Sequence, residues 1–157
     1  MKKLISLLSL FMVLTFASTA FATWDIDVSS PSSAGDYVYF NALCTSDGSQ
    51  LTATNLMSST NMPFPNLVKG GSLMWVYVVP GTTTVAPDTT IDITLTNDFD
   101  AELWADTGIS NTTNSWHQAW EDMGSYPPIL TKLNLALNDI GTAGDQVTIY
   151  FVLWTVK

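Results

Sequence analysis

Residues 72–96, SLMWVYVVPGTTTVAPDTTIDITLT, read as strand, loop, strand, and the rest of the chain is laid out around them. The run from Leu73 to Val79 is apolar and rich in Val, Trp and Tyr, as a strand buried on both faces or lying at a sandwich core requires. From Ile91 to Thr96 the pattern alternates strictly, with Ile91, Ile93 and Leu95 on one face and Asp92, Thr94 and Thr96 on the other. That is the signature of a half-buried strand. Pro80-Gly81 ends the first run, because proline offers no ladder donor and glycine accepts positive φ, and Pro87-Asp88 restarts the chain in extended form.

Further strands lie on either side of this unit. Upstream, Trp24 to Val28 alternates and is followed by a Ser-, Pro- and Gly-containing turn, Ser29 to Gly35. Tyr37 to Ser46 and Gln50 to Met57 come next, separated by Asp47-Gly48, a strong hairpin signal between alternating runs. Ser58 to Lys69, with Pro63 and Pro65, is a loop. Downstream, Asn97 to Asp100 turns the chain into a short segment ending at Trp104, and periodicity is lost from Ala105 to Pro128. Within that stretch Ser115 to Met123 fits one or two helical turns with Trp116, Trp120 and Met123 on one side. Lys132 to Leu137 alternates through Leu133, Leu135 and Leu137, and Asn138 to Asp145 is a turn. The last strand, Gln146 to Val156, places Val147, Ile149, Phe151 and Leu153 on one face. About seven to eight short strands with regularly spaced turns predict an all-β fold, an antiparallel β-sandwich or jelly roll, with one Trp-rich irregular or short helical insertion.

Residues 1–22 carry Lys2-Lys3, an apolar run from Leu4 to Phe16 and the small-x-small site Ala20-Phe21-Ala22. This reads as a secretory signal peptide whose apolar run is short for a transmembrane span, with an uncleaved membrane anchor as the alternative; cleavage after Ala22 leaves residues 23–157 as one domain of 135 residues in the periplasm or outside the cell. Removing Lys2 and Lys3 leaves three lysines and no arginine against all 14 carboxylates, a net charge of −11. That balance argues against binding nucleic acid or an anionic membrane surface, both of which need clustered cations. A single cysteine, Cys44, means no internal disulfide; it shares a face with Val38, Phe40 and Ala42 and reads as a buried inert thiol, with an intermolecular bridge or a reactive thiol as the alternative.

The pieces YVVPGTTTVAPDTTIDITLTNDFDAELW and KLNLALNDIGTAGDQVTIYFVLW, with CTSDGSQLTATN before them, resemble a family of small proteins encoded among the structural genes of tailed bacteriophages. The resemblance rests on strand and turn residues over most of residues 23–157; the family's turn glycine is Asp100 or Ala101 here, and the loop beyond Trp104 is longer. It implies a virion-associated or decoration-like β-sandwich without enzymatic activity, acting through self-association or contact with another structural protein.

Three constellations are candidates for function. Asp98, Asp100 and Glu102 alternate, and in an extended segment would aim three carboxylates at a calcium ion; the plain alternative is a solvated acidic turn. His117 and Glu121 would share a helix face as a metal or acid–base pair, against a default of an exposed or packing histidine. No nucleophile elbow, paired-cysteine motif or phosphate loop is present, and nothing in the sequence singles out a serine for a Ser-His-Asp triad. Of the six tryptophans, Trp75 and Trp154 lie in apolar strands and read as core. Trp104, Trp116 and Trp120 are the candidates for a protein interface, for glycan stacking or for a simple loop-capping cluster. The expectation is a non-enzymatic exported assembly protein, with a secreted carbohydrate-binding module as the alternative.

Overall fold

The computed structural model describes residues 24–58, 62, 64–81, 86–119, 128–138 and 140–155. The leader at 1–22, Trp120, Glu121 and Met123 lie outside the described residues. Two antiparallel sheets pack face to face as a β-sandwich. The first is built from β1 (Asp25–Val28), β2 (Ser32–Ala34), β3 (Tyr37–Thr45), β5 (Ser72–Pro80), β8 (Ser115–Gln118) and β10 (Gln146–Trp154). Its order is β1-β3-β10-β5-β8, with β2 continuing the line of β1 along the same edge of β3. The second sheet is β4 (Leu51–Asn55), β9 (Asn134–Asn138), β6 (Ile91–Thr96) and β7 (Glu102–Ile109), in the order β4-β9-β6-β7.

The alternating pattern sets which side of each strand is buried. Val38, Phe40, Ala42 and Cys44 of β3 meet Val147, Ile149, Phe151 and Leu153 of β10 in the interior, and Ile91, Ile93 and Leu95 of β6 close the core from the other sheet with Leu135 and Leu137 of β9. Phe40 stacks on Phe151 with ring centroids 4.8 Å apart. Burial pushes the Cys44 thiol up to about 12, so it is an inert core group.

Four expectations need correction. β5 and β6 are not paired with each other: β5 lies in the first sheet and β6 in the second. Asp47-Gly48 also turns the chain without making a hairpin. Asp47 accepts hydrogen bonds from the Ser49 amide at 2.8 Å and its hydroxyl at 2.5 Å, as an Asx turn should. Yet the Ser46 amide donates to the Asp145 carbonyl and the Ser46 carbonyl accepts the Gly144 amide, both in the β9–β10 connection, and β4 leaves for the second sheet. The tight hairpins are β2–β3, turning at Gly35-Asp36 with Gly35 at φ 62°, and β6–β7. Third, Ser115 to Gln118 is a strand and not a helical turn, because it pairs with the open edge of β5 from Val78↔Ser115 to Trp75↔Gln118. Last, the two tryptophans read as core lie on the outer face, Trp154 42% exposed and Trp75 half-buried, since Leu153 and Val76 beside them take the core positions.

Candidate functional site

The sequence-predicted tryptophan cluster is divided by the fold. Trp104 on β7 is fully buried, its indole against the His117 ring at 5.2 Å, and so faces neither ligand nor partner. Alternation does not predict this, because Leu103 and Trp104 are buried in succession beside an irregularity in the β6–β7 register. Trp116 is 66% exposed on the opposite sheet.

Trp116 belongs to a different grouping. The β5–β8 register sets it beside Tyr77, and the β5–β10 register sets Tyr77 beside Tyr150, which pairs with Asn41 of β3. One row therefore crosses four strands, a span of about 14 Å. Trp116 and Tyr77 stack with centroids 4.3 Å apart, and Tyr77 and Tyr150 are tilted at 5.9 Å. Asn114 donates to the Tyr77 hydroxyl at 3.0 Å and fixes that ring. A second row sets Trp75 on β5 and Tyr39 on β3 either side of Val152, and Tyr37 beside Trp154 extends the aromatic surface to the end of the sheet.

Over β3, β10, β5 and β8 the outward residues include no charged side chain; Asp25 and Asp27 stand at the β1 margin. In a chain with 14 carboxylates this is a segregated neutral surface. A groove of about 540 Å³ runs across it, lined by Tyr39, Asn41, Tyr77, Trp116 and Tyr150, with Ser29 and Ser30 of the β1–β2 connection and Ser32 of β2 forming a hydroxyl-rich wall. Ser29 is held by exchange with Asn41, whose amide donates to Ser29 Oγ at 2.8 Å. The period-2 pattern of β10 and β5 shows which residues face outward, but only strand order reveals that three aromatics fall in one row.

The carboxylates expected to face one side do not. Asn97 to Asp100 is a tight turn, clamped by Asn97 Oδ1 accepting the Phe99 and Ala101 amides, and Asp100 takes φ 54°, the conformation a turn glycine would adopt. Asp98 accepts the Thr131 hydroxyl and, at 2.7 Å, the Thr131 amide, bonds that hold its carboxyl below the ordinary range. Glu102 opens β7 beyond the turn. Among the described residues no group of three potential metal ligands is gathered anywhere.

His117 sits where the two sheets' edge strands meet. Its Nδ1 lies 2.8 Å from Asp106 Oδ2 of β7, and its Nε2 lies 2.7 Å from Ser115 Oγ, two residues back on the same face of β8. Strand geometry thus brings one serine, Ser115, and one aspartate, Asp106, to the two ring nitrogens of His117.

The fold and these surfaces define an antiparallel β-sandwich with a neutral aromatic groove on one sheet and a polar Ser-His-Asp seam at its edge. The chain matches no protein-family model, no curated protein and no solved structure.

Proposed function

We infer that the domain binds a neutral polysaccharide across the aromatic row of Trp116, Tyr77 and Tyr150. The observation that carries this reading is the coincidence of stacked aromatics, hydroxyl and amide donors, and absent charge along one groove. Sugar rings present apolar faces that stack on aromatic rings and hydroxyls that bond to Ser, Asn and Tyr, and a ligand without charge needs none from the protein. The net charge of −9 also disfavours acidic glycans. The secretory leader read at residues 1–22 fits a ligand met outside the cytoplasm.

The test is intrinsic tryptophan fluorescence and calorimetry on residues 23–157 against hexasaccharides of neutral β-glucan, xylan, mannan and chitin. At least one should shift the emission. Trp116→Ala should then weaken binding about 30-fold, the scale of losing one well-packed aromatic anchor of about 2 kcal/mol.

A second reading is assembly, as the phage resemblance implies: the same face would be covered by another copy or another structural protein. It is favoured by Tyr37 and Trp154, which are exposed beyond the groove. Light scattering separates the two, because a concentration-dependent oligomer that ignores every glycan supports assembly and overturns glycan binding.

A further inference from the structure

We propose that Ser115, His117 and Asp106 form a nucleophilic site that hydrolyses small neutral esters. Asp106 is oriented from both sides: Oδ1 accepts the Thr107 amide at 2.8 Å while Oδ2 receives Nδ1–H of His117 at 2.8 Å. That carboxylate fixes the tautomer, leaving Nε2 as the acceptor for the Ser115 hydroxyl at 2.7 Å. Nucleophile, base and orienting acid are therefore in hydrogen-bond reach in the order that activates a serine.

The placement also suits a reaction. β8 is the last strand of its sheet and β7 the last of the other, so the three groups line the seam where the sandwich opens. His117 and Ser115 are half-buried rather than sealed, and Trp104 packs against the imidazole, shielding it from bulk water on that side. The Trp104 Nε1–H is buried without a hydrogen-bond partner among the described residues, an unspent donor on the side chain that packs against the base. Among the described residues β8 pairs only with β5, so alternate amides along it point away from that ladder, the direction an oxyanion donor would need.

In the reaction Ser115 Oγ adds to the ester carbonyl carbon as its proton passes to His117 Nε2. The adduct collapses by breaking the bond between acyl carbon and alcohol oxygen, and the imidazolium protonates the departing alcohol. Water then attacks acyl-Ser115, its proton passing through Nε2 to Oγ as the acid is released.

The site lies between β7 and the inward face of β8, while Trp116 on the outward face of β8 lines the glycan groove, and its test reads ester turnover and not sugar binding. Residues 23–157 would be treated with a fluorophosphonate probe and mapped by mass spectrometry, and turnover followed with p-nitrophenyl acetate. Labelling of Ser115, with turnover reduced about 100-fold in Ser115→Ala and retained in Ser110→Ala, is the expected result. Ser115→Ala removes one oxygen from an edge strand and leaves the His117–Asp106 pair in place; circular dichroism checks its fold. An unlabelled Ser115 in folded wild-type protein, or turnover that persists in Ser115→Ala, overturns the proposal.

Discussion

At the scale of single residues, Cys44 shows burial acting through titration. The face it shares with Val38, Phe40 and Ala42 is legible in the alternation of Tyr37 to Thr45, so its inertness could be read before any coordinates. Desolvation of the thiolate raises its pKa from 9.0 to about 12. Because the folded state holds the proton more tightly than the unfolded chain, the thiol's contribution to stability is complete below pH about 9 and declines between there and about 12. Native protein should therefore resist alkylation by iodoacetamide at pH 8, and Cys44→Ser should flatten part of the loss of stability seen in urea melts above pH 9. Trp104 is the contrary case. Its burial depends on a register irregularity between β6 and β7, which no local pattern announces.

At the scale of elements, alternation reported faces faithfully and partners poorly. Asp47-Gly48 has the local chemistry of a hairpin, yet whether the next strand pairs with its predecessor depends on which strand already occupies that edge, and β3 is flanked by β1 and β2 on one side and β10 on the other. Ser115 to Gln118 was ambiguous for a related reason: four residues are too few to distinguish the two periods, and the open edge of β5 decides. The reliability of faces can be measured on β10. Phe151 is fully buried against Phe40, and Phe151→Ala should cost about 3–5 kcal/mol through lost transfer energy and a cavity. Tyr150→Ala, one residue away on the outer face, should cost about 1 kcal/mol. Thermal denaturation reads the difference as a midpoint about 10 °C lower for the Phe151 variant.

At the scale of the whole molecule, charge distribution ties the fold to its surface. The excess of carboxylates was plain in the sequence, but its segregation from the outer face of β3, β10, β5 and β8 emerges only when strand order is known. Carboxylates concentrated on the remaining surface repel one another in the compact state more than in the unfolded chain. Raising sodium chloride from about 10 mM to 100 mM shortens the screening length from about 30 Å to about 10 Å and should raise the melting temperature by a few degrees. Calcium distinguishes this diffuse effect from a bound ion. Asp98 is engaged by Thr131, Asp100 lies in the turn and Glu102 follows it, so the three carboxylates do not converge. Calcium chloride at matched ionic strength should therefore stabilise the domain no more than sodium chloride does. An additional shift of several degrees, saturating with calcium and abolished by Asp98→Asn, would instead mean that the turn closes around the ion.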